Sequence, residues 1–446
     1  MLAYGRILSG IALLVLALPL RAESLVLENV RLVDVATGTL SEVQTVYVED
    51  GWFVPELSAD ADDGVQRIDA EGAFLLPGLT EMHAHVPPAS EGQRVDDLLQ
   101  LFLAHGVTTV RGMLGEPGHL QLRAQLASGE RLGPRLISSG PSINGNSAPT
   151  EARARALVLQ QQEAGYDFLK LHPGLVPETF DAVVDAARGL GIPFAGHVAN
   201  DVGLARALRA GQATIDHLDA YAQLLVPPDH ELHGADPGFF GVRIASALDE
   251  QRIPDLVAQT REAGVMNVPT QTLIENLAVN DLDALEARPA MRYMPADTRG
   301  RWRERAEQMR DDHPADELAH FVDIRRALML ALHRDGGGLL LGSDAPQIMN
   351  VPGDSLHHEL EILVESGLTP AEALATGTVN VATFFARPAL GCLQPGCVAD
   401  AVLLGSDPLA DIAAVREINA VMRAGQWLDR ARLDAMLESI AERAGS

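Results

Sequence analysis

Leu75-Leu-Pro-Gly-Leu-Thr-Glu-Met-His-Ala-His85 is the stretch from which the rest of the chain is read. An apolar run passes through Pro77-Gly78 and ends on two histidines at i and i+2. Alternate residues of a strand point the same way, so His83 and His85 can both face one ion at the strand's end. No glycine-rich phosphate turn follows the run, which argues against an open doubly wound sheet. Downstream the rhythm repeats. Apolar or β-branched runs at Phe74–Met82, Val107–Met113, Arg135–Ser139, Asp167–Leu171, Ile192–Gly196, Ala213–Asp216, Val265–Pro269 and Leu339–Gly342 alternate with helical stretches. In Thr179–Leu190, Phe180, Val183, Val184 and Ala187 share one face at spacings of three and four. This alternation predicts an α/β fold, a TIM (β/α)8 barrel.

Active sites of such barrels lie at the C-terminal ends of the strands. Lys170 ends the fourth run, His197 the fifth, His217 the sixth and Asp344 follows the eighth. With His83 and His85, six ligand-type residues are expected to converge on one mouth. An ammonium is no metal ligand. A lysine whose pKa is depressed can instead add carbon dioxide, and the two oxygens of the resulting carbamate can bridge two metals. The expectation is a binuclear centre bridged by carboxylated Lys170, with His83, His85 and Asp344 on one ion and His197 and His217 on the other. Such donors suit zinc first, with manganese, iron or cobalt as alternatives. Water between two dications loses much of its proton affinity, and Asp344 is placed to take the proton and pass it to a leaving amine. Arg111, Asn144, His172, Tyr221 and Gln271 lie just beyond strand ends and are the candidates for substrate contacts.

The barrel is flanked by shorter strands. Residues 24–73 and 389–446 are expected to form one small β-sandwich domain from the two ends of the chain, closed by a helix at Arg430–Arg443, around a barrel at 74–388. Residues 272–335 break the alternation, carry Arg288, Arg292, Arg299, Arg301, Arg303, Arg305 and Arg310 among acids, and read as a helical insertion, either a solvated, salt-bridged surface element or a candidate lid over the barrel mouth. Cys392 and Cys397 flank Gln394-Pro-Gly396, a turn that can bring them into disulfide range.

Leu75 to His85, Phe194-Ala-Gly-His-Val198, Ile215-Asp-His-Leu218 and Leu341-Gly-Ser-Asp344 together resemble the metal-dependent amidohydrolase superfamily. The nearest likeness is to its imidazolonepropionase-like and Xaa-Pro-dipeptidase-like branch. Ala389-Leu-Gly391 with Pro395-Gly396 and Ala399-Asp400 is similar to that family's C-terminal signature. The resemblance covers nearly everything after residue 24 except 272–335. It implies a barrel with a composite β-sandwich and hydrolysis of amide or related bonds at one or two metals. Tyr166-Asp-Phe-Leu-Lys170 resembles the segment that carries the carboxylated lysine in binuclear members, whereas the single-metal imidazolonepropionase lacks that lysine. Members that deaminate purines or cytosine usually place a glutamate three residues after the fifth-strand histidine. Asn200 stands there in this chain and cannot shuttle protons, which disfavours deamination.

Composition narrows the remaining choices. The chain has 446 residues, 47% hydrophobic, with 61 acids against 34 lysines and arginines and a formal charge of -27. So acidic a surface repels phosphate backbones and anionic lipid, so a small-molecule substrate is expected, with no nucleic-acid partner. Two cysteines exclude a disulfide scaffold and a four-cysteine zinc site. Residues 1–22, with Arg6, the apolar run Ile7–Leu20 and Ala22, read as a signal peptide too short for stable membrane insertion. The expectation is an exported, periplasmic or secreted hydrolase that splits a C–N bond in a dipeptide or N-acyl amino acid. A lactonase or phosphotriesterase on the same site, or a non-catalytic periplasmic metal- or solute-binding protein, are the alternatives, and a homo-oligomer is left open.

Overall fold

A computed structural model describes residues 24–58, 64–278, 281–335 and 337–445. The expected signal peptide lies outside them. Among the described residues no helix is long and apolar enough to cross a membrane.

Both ends of the chain meet in one nine-stranded sheet. Its main order runs Gln426–Asp429, Ile418–Arg423, Ala401–Leu404, Phe74–Pro77, Leu25–Asp34, Gln44–Glu49 and Trp52–Val54, with Thr39–Leu40 and Gln66–Asp69 also paired to Leu25–Asp34. Ala401–Leu404 pairs antiparallel to Phe74–Pro77, Val402 facing Leu76, which ties the tail to the head of the chain. One face buries Leu27, Val46, Phe53, Leu75, Leu403 and Met422 in a core of its own. This alternation of buried and outward residues is what the valine-rich pattern dictates. A disulfide between Cys392 and Cys397 closes the turn at the edge of this sheet.

The run read as one strand, Phe74–Met82, is two. Phe74–Pro77 belongs to the terminal sheet, and Leu79–Ala84 begins the next one. Gly78 is the joint. A Cβ at this position would lie 2.2 Å from Thr108 Oγ1, so only glycine lets the chain pass between the two sheets.

Leu79–Ala84, Val107–Gly112 and Arg135–Ser138 form a parallel three-stranded sheet. Leu169–Leu171, Phe194–Gly196, Thr214–Asp216 and Met266–Val268 form a parallel four-stranded one. Parallel bridges Ser139↔Phe168 and Ile143↔Leu171 join the two. The eighth expected strand is an extended segment without a ladder. Leu339 bridges Asn267 on one side and Ala345 bridges Ala84 on the other, while Met82 N donates to Leu341 O at 2.8 Å. The connecting helices bury apolar faces. Pro177–Leu190 starts with proline in its first turn, buries Phe180, Val183, Val184 and Ala187, and stops at Gly191 with φ +68°. Full burial of each larger side chain contributes roughly 1.5–3 kcal/mol.

Part of residues 272–335, the candidate lid, is built into the fold. The long helix Ala315–Arg334 buries Leu318, Phe321, Ile324, Leu328 and Leu332, so it is a wall of the fold. Arg325 on that helix donates to His217 O, Pro269 O and Gln271 Oε1. This guanidinium is buried and satisfied by strand-end carbonyls.

Candidate metal centre

The strand ends bring the six expected ligand residues together. His83 and His85 lie on alternate positions of the first strand end, ring centroids 5.4 Å apart. Asp344 turns into the mouth with φ +63°, its Oδ1 2.9 Å from His85 Nε2 and 3.6 Å from His83 Nε2. His217, also left-handed at φ +62°, stands between His83 at 4.5 Å and His197 at 4.6 Å, measured between ring centroids. Non-glycine residues in this region cost energy and persist where the surroundings fix them, commonly at functional sites. Lys170 is fully buried below, its Nζ 3.7 Å from Asp216 Oδ2.

Carboxylates and a hydroxyl that the sequence reading did not single out hold this set in place. His197 Nδ1 pairs with Asp219 Oδ2 at 2.8 Å and His217 Nδ1 with Thr270 Oγ1 at 2.8 Å. Asp216 Oδ2 lies 3.0 Å from His83 Nδ1. Glu81, wholly buried, accepts from His83 N and Ser343 N and so links the first strand to the segment carrying Asp344. Burial pushes the Glu81 carboxyl up to about 8. Asp216 and Glu81 both sat inside the quoted motifs, and an acid within an apolar strand was the available signal.

The donor chemistry suits divalent ions. Burial holds the His83 and His217 imidazoles well below their ordinary value, hence neutral, the form that ligates. Burial also pushes the Lys170 ammonium down, against the pull of Asp216. His83 Nδ1 and Nε2, Lys170 Nζ, Asp216 Oδ2 and Asp344 Oδ1 are buried and, although Asp216 lies close to His83 and Asp344 to His85, none of these atoms makes a well-aligned hydrogen bond among the described residues. Orphaned polar atoms are expensive, and a cluster of them on ligand types is what a metal site looks like without its ion. His83, His85 and Asp344 place one ligand atom each within 4.8 Å of one another.

Residues 74–428 match the model of the amidohydrolase family. The chain belongs to the amidohydrolase family. An adenine deaminase of Nitratidesulfovibrio vulgaris (strain DP4) is 25% identical over 415 residues, which span 90% of this chain and 57% of that protein. Adenine deaminase 2 of Rhizobium etli is 35% identical over 118 residues, 25% of this chain and 19% of that one. The chain thus spans little more than half the length of the first of these relatives. Among solved structures, the bottromycin amidohydrolase superposes with a TM-score of 0.73 at 23% identity, covering 96% of this chain and 92% of that one. An Xaa-Pro dipeptidase with bound methionine superposes with a TM-score of 0.64 at 18% identity, covering 91% and 100%. At such identities the likeness is one of fold.

In this chain the five residues expected to face substrate divide. His172 does reach the centre: its ring lies 4.9 Å from that of His197 and its Nδ1 pairs with Ser142 Oγ at 2.7 Å. Asn144 shapes the loop beside it, its Oδ1 accepting from the backbone of Asn146 and Ser147 and its Nδ2 donating to Ser142. The other three are corrected by the structure. Arg111 points inward between the parallel sheets and is fully buried, donating to Met82 O, Thr214 Oγ1 and Asp216 Oδ1. Tyr221 faces the outer helices, its hydroxyl paired with Thr260 Oγ1. Gln271 is buried between Arg325 and Glu275.

A cleft of about 410 Å³ opens beside His197. Pro237 to Gly241, after the sixth strand, line it. Phe240 lies over the histidines, its ring 4.8 Å from that of His217 and parallel to that of His197 within 2°. No periodicity marks this loop, so the sequence carried no sign of Phe240.

Proposed function

We propose that this chain is an exported metal-dependent hydrolase that splits a C–N bond of an amide or related kind in a small molecule. The observation that carries the reading is the convergence of His83, His85, Lys170, His197, His217 and Asp344, with its orphaned buried atoms, at the strand ends. The bridges on both sides of the eighth segment support a closed (β/α)8 barrel around it. Membership of the amidohydrolase family supports the bond type.

In this reading Lys170 enters as the neutral amine, adds carbon dioxide with loss of one proton, and offers two carbamate oxygens beside the imidazoles. Zinc is the first candidate for the two ions, which supply Lewis acidity and bring the pKa of water toward neutrality. Asp344 accepts the proton of the attacking water and returns it to the leaving nitrogen. Asp219 and Thr270 fix the rings of His197 and His217 so that the other nitrogen faces the centre. Deamination fits less well, although curated relatives carry that name. Asn200, which stands where a shuttling glutamate is expected, lines the cleft and accepts from Gln223 Nε2 at 3.1 Å.

A hydrolysis screen of metal-reconstituted protein against dipeptides, N-acylated amino acids and their amides, adenine, lactones and phosphotriesters tests the reading. Turnover confined to the amide-bonded compounds is expected. Turnover confined to adenine, lactones or phosphotriesters would replace it. Export is tested separately, by fractionation of cells producing the full chain.

A further inference from the structure

The walls of the cleft carry information about what enters it. Leu175, Val198, Pro237, Phe239 and Phe240 supply apolar surface. The charged side chains among the described lining residues, leaving the imidazole of His197 aside, are two carboxylates, Asp201 and Asp219. Arg111, the one guanidinium among the candidates for substrate contact, is buried beneath the histidines with its donors turned to Met82, Thr214 and Asp216. The aromatic wall is also preformed. Phe239 and Phe240 have ring centroids 4.1 Å apart, and the Arg305 guanidinium lies 5.4 Å from the Phe239 ring. Glycines at 238 and 241 flank them at φ +66° and +101°. A Cβ on Gly241 would come within 2.4 Å of Ala222 Cβ, so the loop sits too close to the helix below for any other residue.

From these walls we infer that the substrate group held in the cleft is uncharged and apolar, with a flat face to set against Phe240. The enzyme therefore cleaves amides whose cleft-bound part is capped or carboxylate-free, in preference to dipeptides and N-acyl amino acids that present a free carboxylate there. This rests on the hydrolase reading above and narrows its substrate. A carboxylate entering the cleft would give up water, meet Asp201 and Asp219, and find no lysine or arginine among the described lining residues, Arg305 standing behind the Phe239 ring. An apolar ring gains burial and edge or face contact with the phenylalanines. The reaction itself is ordinary hydrolysis: water's oxygen bonds to the acyl carbon, the C–N bond breaks, and the nitrogen leaves with a proton.

The test compares phenylacetylglycinamide with phenylacetylglycine on metal-loaded enzyme, native and Gln223→Arg. Gln223 lines the cleft, so the variant puts a cation on its wall. The native enzyme is expected to favour the neutral amide by at least about tenfold in kcat/KM. Gln223→Arg should shrink or reverse that ratio. Equal or better turnover of the free acid by the native enzyme would overturn the inference. Calorimetry with 3-phenylpropan-1-ol and 3-phenylpropanoate decides the matter without turnover. Gln223→Arg should tighten only the acid, and taking the ratio between proteins cancels direct contact of the acid with metal. If no amide of the screen is cleaved, the hydrolase reading falls, while an acid affinity unmoved by the new cation sinks the inference by itself. Asn200→Lys serves the same purpose should Gln223→Arg fail to fold.

Discussion

His197 Nδ1 lies 2.8 Å from Asp219 Oδ2, and the same oxygen also accepts from Val198 N at 3.3 Å. With its Nδ1 donating to a carboxylate, the imidazole presents an unprotonated Nε2, the tautomer that ligates a metal. Removing the carboxylate frees the ring to turn and to change tautomer. Asp219→Ala should lower metal affinity or activity about 10–100-fold, with a smaller loss for Asp219→Asn, which keeps an acceptor. Competition titration with a chelator measures it. Native affinity in Asp219→Ala would show that His197 needs no such support.

Asp344 approaches both first-strand histidines and is assigned the proton transfer. Asp344→Asn keeps the shape and removes the base. Turnover of the amide found in the screen should fall by about 10²–10⁴, with the far-ultraviolet spectrum and unfolding midpoint close to native. Near-normal turnover would remove Asp344 from that role.

Gly78 faces Thr108 so closely that a methyl group cannot fit. Gly78→Ala should destabilise by about 1–3 kcal/mol in denaturant unfolding. Thr108→Ala, which deletes the two nearest of the three atoms in the way, should recover part of that loss in the double variant. Additive destabilisation would mean that the two residues do not collide.

Away from the site, His358 pairs with Asp354 at 3.4 Å and Glu361 at 3.0 Å, and Arg416 reaches both acids. Burial works against the charged imidazole, but the two carboxylates outweigh it and raise its pKa above the ordinary 6.5. Burial likewise works against the Glu361 carboxylate, yet His358 and Arg416 pull it from 4.5 down to about 2. The raised histidine therefore contributes stability fully present below about pH 6.5 and lost as pH rises through its folded value. The depressed glutamate contributes stability present above about pH 4.5 and lost toward pH 2. His358→Gln should lower the thermal midpoint more at pH 5.5 than at pH 8.5. An equal drop at both would mean that the imidazole is neutral throughout.

Legibility in the sequence followed how far each feature depends on neighbours along the chain. His83, His85, His197, His217 and Asp344 were readable because a strand end fixes its own direction. Lys170 was readable for the same reason. Arg111 was not: whether a strand residue faces the site or the interior beneath it depends on register against Met82 and Thr214, far away in sequence. Tyr221 was misplaced because its short helix turns the ring outward to Thr260, more than thirty residues on. The cleft wall at Phe240 depends on two glycines and a close approach to Ala222, none of which leaves a periodic trace. Within 272–335 the burial of Arg325 left no sign in composition, since only folding sets this guanidinium against the carbonyls of His217 and Pro269.

The central claim is a binuclear centre bridged by Lys170, and metal counting on purified native protein and Lys170→Ala tests it most directly. The native chain should carry two divalent ions, and Lys170→Ala should lose one or both together with its turnover. A Lys170→Ala protein with full metal content and full activity would contradict the account.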